Sequence, residues 1–191
     1  MNIGIDLDDV LFATGDEVEK MIDTSGNPRL KEYKVELMRG VLAELPEDVV
    51  QFLKDTVDEY CSNAKPLINS IEVLKKLKAK NHRIIFITAR DTALSPNLID
   101  ITYESFKKYG IEEGVVYDKI VFFGSDKASI CKQENIDLFI DDSPKTCEIV
   151  RRAGFEVIAF KSKITADAID QTDLPSVTSW NELYDKINSI I

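Results

Sequence analysis

The sequence predicts an α/β protein built on a parallel sheet with helices on both faces. Five short apolar runs, rich in β-branched and aromatic residues, alternate with amphipathic helical stretches. Strands separated by helices imply crossover connections, which set parallel strands into one covered sheet. Three of the runs end in polar residues, at Asp6 to Asp9, Thr88 to Asp91, and Asp141 with Asp142. In such sheets ligands bind beyond the carboxyl ends of the strands.

The first strand is Ile3 to Ile5, within "MNIGIDLDDVLF". "RIIFIT" (83–88), "KIVFF" (119–123), "IDLFID" (136–141) and "FEVIAF" (155–160) supply the others, each too short for a helix. Between them, "NSIEVLKKLKAK" starts a helix at Asn69 or Ser70 and turns Ile71, Leu74 and Leu77 to one side. "SPNLIDITYESFKKYG" carries Ser95 as its cap, Pro96 in the first turn and Gly110 at its end. "SDKASICKQ" and "SPKTCEIVRRAG" follow, the second closed by Gly154. A last helix opens with a capping box, Ser179 with Glu182, and packs Trp180 and Leu183 against the body.

One crossover is oversized. About 55 residues separate Asp9 from the return at "AKPLINS", far more than an ordinary connection. They read as helices: "GDEVEKMID", "RLKEYKVELMRGVL" and "PEDVVQFLKDTVDEYC". The second repeats apolar groups at Leu30, Tyr33, Leu37, Met38, Val41 and Leu42, the third at Val49, Val50, Leu53, Val57, Tyr60 and Cys61. The expected organisation is a core of residues 1–13 plus 66–191 and a helical lid of residues 14–65. The lid emerges from the carboxylate-bearing loop and is expected to cover it.

Composition narrows the function. The 191 residues are 44% hydrophobic and 30% charged, with net charge −10 and no long basic run. That argues against a chain whose main work is gripping a nucleic-acid polymer, while leaving room for a small anionic substrate. No apolar run approaches the roughly 20 residues that span a bilayer, and no signal-type segment opens the chain, so no membrane partner and a cytoplasmic location are expected. Cys61, Cys131 and Cys147 are too few and too irregular for a disulfide framework or a zinc site, and are expected as reduced thiols. His82, the one histidine, sits in a polar turn, which leaves acid–base chemistry to carboxylates. A homodimer is compatible with the sequence, which does not set the oligomeric state.

Side chains two apart on an extended chain face the same way, so Asp6 and Asp8 share a side while Leu7 points to the core. Such a pair suits a nucleophile with an acid, or the ligands of a hard cation; a helix-capping cluster is the simpler alternative. Thr88 ends a buried strand, where its hydroxyl and the following N–H groups suit a phosphate oxygen or merely terminate the strand. Lys127 stands at a helix start, where the helix dipole gives a cation nothing, so it needs another partner or solvent. Asp141 and Asp142 follow a wholly apolar strand, a placement hard to explain without a cation.

The ordered set D-L-D-D-V, I-T-A-R, an isolated lysine and I-D-D-S-P resembles the four motifs of the haloacid dehalogenase-like (HAD) superfamily, along the chain from Ile3 to about Phe160. The resemblance implies a Rossmann-like three-layer α/β/α core with the first-motif strand central, the last acids on its neighbour, and a small helical cap after the first strand. It implies that Asp6 attacks phosphorus to form an aspartyl-phosphate. Asp8 would protonate the leaving oxygen and then deprotonate the hydrolytic water. Thr88, Ala89, Arg90 and Lys127 would surround the phosphate. Mg²⁺ would be held by Asp6, the main-chain carbonyl of Asp8, and Asp142, with Asp141 reached through water and Lys127; the reverse order of the last two stays open. Anionic neighbours are expected to raise the Asp8 pKa, as a general acid needs. Arg90 either joins the phosphate or pairs with Asp91.

Within the superfamily the small cap, "IGIDLDDVL" and "FIDDSP" are similar to the deoxyribonucleotidase group, implying a phosphomonoester substrate, a 5′-(deoxy)nucleoside monophosphate. Asp9 stands where many of that group have glycine or asparagine. Phe12, Tyr33 and Tyr60 either stack on a base or pack in the core. Another phosphate ester, such as a sugar phosphate, and a catalytically silent HAD-like domain are the alternatives. A response-regulator receiver is disfavoured, because here an acid pair follows the lysine and no middle strand carries a lone aspartate.

Overall fold

The computed structural model describes residues 1–38 and 45–190. Six strands form one sheet: β1 (Asn2–Ile5), β2 (Arg83–Ile87), β3 (Lys119–Val121), β4 (Leu138–Asp141), β5 (Glu156–Phe160) and β6 (Ser176–Val177). All pairings are parallel, in the order β3-β2-β1-β4-β5-β6. The expected parallel α/β architecture is therefore present, with the first-motif strand flanked by β2 and β4.

Alternation along each strand divides the interior into two cores. Ile84, Phe86, Leu138, Ile140, Ile158 and Phe160 join one. It is covered by α5 (Ser70–Ala79), α6 (Leu98–Tyr109) and α10 (Trp180–Ile190) through Leu74, Leu77, Phe106, Trp180 and Leu183. Ile85, Ile87, Phe139, Val157 and Ala159 join the other. Cys131, Cys147, Val150 and Ile169 of α7 (Lys127–Gln133), α8 (Pro144–Arg152) and α9 (Ala166–Asp170) close that face. On it, a Cβ at Gly4 would stand 3.1 Å from both Ile87 and Phe139, so the centre of β1 has no room for a side chain.

Several boundaries differ from the sequence reading. The strands are shorter, and β3 stops at Val121 because Phe123 turns to φ 60°. Helix α6 begins at Leu98, not at Ser95, whose hydroxyl instead accepts the N–H of Asn97 in a preceding turn. The last helix keeps its Ser179 cap on the N–H of Glu182, while Glu182 reaches back to Thr178. Two short elements, α9 and β6, have no periodic signature; β6 exists through its pairing with Ala159 and Phe160 of β5.

The long crossover is helical in its described parts: α1 (Thr14–Thr24), α2 (Pro28–Glu32), α3 (Lys34–Met38) and α4 (Glu47–Asn63). The single helix expected over "RLKEYKVELMRGVL" is broken at Tyr33. There the side chain packs inward, and the next residue, Lys34, is held by Glu19 and Asp23 of α1. Val41 and Leu42 lie outside the described residues, as does the side chain of Met38. Val18, Ile22, Leu30, Leu37 and Val49 form a separate small apolar cluster. Among the described residues, no helix is long and apolar enough to cross a membrane.

Candidate active site

The order of the sheet gathers the sequence-predicted acids. Asp6 follows β1, Thr88 follows β2, Asp141 closes β4, and Lys127 opens α7 after β3. Beyond β1 the chain folds back within six residues, as the N–H groups of Leu11 and Phe12 both donate to the Leu7 carbonyl. Leu7, Val10, Leu11 and Phe12 enter the core, leaving the acids between them at the carboxyl end of the sheet.

Asp6 is buried. Its Oδ1 takes a hydrogen bond from Lys127 Nζ, and its Oδ2 accepts the N–H of Asp8 at 3.1 Å. Lys127 is buried as well; its ammonium also donates to the Ile87 carbonyl and lies 3.8 Å from Asp141 Oδ2. This is the partner that a cation at a helix start required. Burial raises the Asp6 carboxyl above its ordinary pKa against the pull of Lys127, and the charge of Asp8 adds to the rise.

Asp8 is held differently. Arg90 grips it through Nε at 3.2 Å and Nη2 at 2.8 Å, and Thr14 donates its hydroxyl at 2.6 Å. Burial alone would raise the Asp8 pKa, but the Arg90 charge with the Arg90 and Thr14 hydrogen bonds carries it below the ordinary value. The expected rise from anionic neighbours is thus reversed, because a guanidinium reaches Asp8 first. Arg90 is 3% exposed and spends Nη1 on Thr102, at 2.9 Å. The Arg90–Asp91 pairing is absent, as Asp91 accepts the N–H of Ala93 instead. No pattern in the sequence links Arg90 to Asp8, which lies 82 residues away.

Thr88 is fully buried and its hydroxyl accepts the N–H of Arg90 at 3.2 Å. Ala89 is exposed and borders a cavity beneath the long crossover. Asp141 is buried with Oδ1 on the N–H of Ser143. Asp142 is half-buried and has no hydrogen bond or ion pair among the described residues. Asp9 adopts φ 57°, a left-handed conformation that glycine and asparagine reach at least cost, and its Oδ1 accepts the N–H of Gly15 at the start of α1. Phe12 stacks in the core on Phe106, Tyr33 packs among the crossover helices, and Tyr60 lines the cavity. The three cysteines are free and buried. His82 is buried away from the acids with neither ring nitrogen hydrogen-bonded.

Five carboxylates, Asp6, Asp8, Asp9, Asp141 and Asp142, therefore share two cations, Lys127 and Arg90. Burial with mutual repulsion raises Asp9 and Asp141 to about 7 and Asp142 well above its ordinary value. All donors are oxygens, the set that suits a hard cation. Among the described residues no three acidic, thiol or imidazole groups form a ready-made metal cage. Magnesium seldom needs one, since it keeps several waters and is bound by one or two carboxylates with substrate phosphate.

This crowding has a measurable consequence. From the ordinary value of 3.8 up to about 7, the folded chain holds protons on Asp9 and Asp141 that the unfolded chain has released. Stability therefore falls as pH rises through that window. Asp8, shifted the other way, adds nothing to that slope near neutrality. In metal-free buffer the urea midpoint is expected to be lower at about pH 7.5 than at about pH 5.5, and added Mg²⁺ should recover most of the difference. A flat midpoint across that range would refute the crowding.

No family model matches the chain. A nucleotidase of Clostridium acetobutylicum is 28% identical over 113 residues, 59% of this chain and 54% of the relative, so the match spans about half the relative's length. Among solved structures, a HAD-family hydrolase of Deinococcus radiodurans with bound phosphate and sodium superposes with TM-score 0.66 at 17% identity, over 95% of this chain and 92% of that one. A haloacid dehalogenase-like hydrolase of Xanthomonas campestris gives 0.63 at 12% identity, over 100% and 91%. A HAD-superfamily hydrolase of Ehrlichia chaffeensis gives 0.57 at 14% identity, over 99% and 96%. With this topology and these likenesses, the chain has the fold of the HAD-superfamily hydrolases.

Proposed function

We propose that the chain is a magnesium-dependent phosphomonoesterase working through an aspartyl-phosphate on Asp6. The observation that carries this reading is the buried Asp6–Lys127 pair beside Asp141, at the carboxyl ends of the adjacent strands β1 and β4. Phosphoryl transfer asks mainly for in-line placement and for charge around the transferring group. Asp6 attacks phosphorus and the ester P–O bond breaks. Lys127, the Thr88 hydroxyl and the N–H of Ala89 receive the phosphoryl oxygens, with Arg90, whose N–H is held by Thr88, beside them. Asp8 gives a proton to the departing oxygen, then takes one from the water that opens the acyl-phosphate. Arg90 keeps Asp8 ionised at rest; a bound dianionic phosphate opposes that effect and raises its pKa, so that Asp8 takes up from solvent the proton it then gives.

Magnesium fits the all-oxygen donor set and Asp142, which has no ion pair among the described residues. Asp6, the Asp8 carbonyl and Asp142, with Asp141 behind, would hold it, and when bound it neutralises phosphate charge. Helices α1–α4 act as the cap of residues 14–65 over this site.

A 5′-nucleotide substrate is the second reading, favoured by the nucleotidase relative. The test of the activity is hydrolysis of p-nitrophenyl phosphate by purified protein. Turnover is expected with Mg²⁺ and a loss of about 100-fold or more in excess EDTA. An equal rate in EDTA would refute the metal requirement, and no turnover under any condition the activity itself.

A further inference from the structure

Asp8 borders a cavity of about 260 Å³ between the core and α1, α3 and α4. Its far wall consists of Val18, Leu37, Leu53, Val57, Tyr60 and Cys61. Burial raises Tyr60 above its ordinary pKa and lifts the Cys61 thiol to about 12, as a poorly hydrated wall requires. On the core side Leu94 and Leu98 continue the apolar lining. Of the polar groups around it, Asp8 is held by Arg90 and Thr14 and Asp9 Oδ1 by Gly15, which leaves Asp9 Oδ2 and the Tyr60 hydroxyl without a hydrogen bond among the described residues. A larger cavity of about 450 Å³ lies across the start of α1, bordered by Ala13 and Asp16, and Asp8 does not reach it.

On the reading that Asp8 protonates the leaving oxygen, the leaving group must stand in the cavity that Asp8 borders. We infer that the substrate is a phosphate monoester of a compact apolar alcohol, benzyl-sized, seated against Leu53, Val57 and Tyr60, and not of a polyhydroxylated sugar. The volume lies just below the roughly 300–1,000 Å³ of sites for drug-sized ligands, which favours a small group. The lining supplies little to a sugar: with most of the wall apolar, most of its hydroxyls would lose water without gaining a partner. The departing oxygen takes the Asp8 proton as the P–O bond breaks, and the apolar remainder stays against the cap wall.

Benzyl phosphate, glucose 6-phosphate and thymidine 5′-monophosphate are all esters of primary alcohols, so kcat/KM across them compares the pocket and not leaving-group basicity. Benzyl phosphate is expected to exceed glucose 6-phosphate by about 100-fold or more, and to exceed the nucleotide. Leu53→Trp, which fills the cavity from a half-buried position, should lower benzyl phosphate turnover about tenfold or more. Acetyl phosphate, whose leaving group occupies little space, should lose less, so the ratio of benzyl phosphate to acetyl phosphate turnover should fall by about fivefold or more. Faster turnover of the sugar phosphate or the nucleotide overturns the inference and leaves the phosphatase reading standing. Failure to hydrolyse any of the three esters, and acetyl phosphate as well, overturns both.

Discussion

Asp6→Asn protein is expected to fold and to lose p-nitrophenyl phosphate hydrolysis by a factor on the order of 10⁴ or more. The substitution keeps the side-chain shape and an oxygen that can accept from Lys127, so the buried contact survives while the attacking anion is gone. It also removes one charge from a site with five carboxylates and two cations, so the unfolding midpoint of the metal-free protein should hold or rise. Parallel measurement of single-turnover rate and urea midpoint separates chemistry from folding. A rate within tenfold of the unsubstituted protein, with an unchanged midpoint, would remove Asp6 as nucleophile.

The second large effect belongs to Lys127. Its ammonium joins Asp6, the Ile87 carbonyl and, at 3.8 Å, Asp141 in a buried setting. Breaking a buried pair by removing one partner strands the other charge, at a cost of about 3–5 kcal/mol. Lys127→Met should therefore lower stability by about that much near neutral pH and abolish turnover. The deficit should shrink towards about pH 5, where Asp141, raised to about 7, takes up a proton and needs no counter-charge. A pH-independent deficit would point to lost packing of the lysine stem against the core, and an unchanged midpoint would show that the pair contributes nothing.

The motif residues and the parallel architecture were legible in the sequence for one reason. Acids and a threonine at the ends of apolar β-branched runs can be read locally, and alternation with helices sets the sheet class. Shorter signals failed. Strand β6 is two residues long and depends on β5, and the break at Tyr33 follows from contacts with α1 that no helical periodicity encodes.

By itself the sequence determined which residues carry charge at which strand ends, because burial pattern and polarity are local properties of the chain. Only the tertiary structure decided how those charges divide: Lys127 to Asp6, Arg90 to Asp8, and, among the described residues, no ion-pair partner for Asp142. The partners lie 121 and 82 residues apart, and Coulomb energy depends on distance in space and on the burial that strengthens it. The same holds for the apolar cavity beside Asp8, whose walls come from four separate stretches of chain.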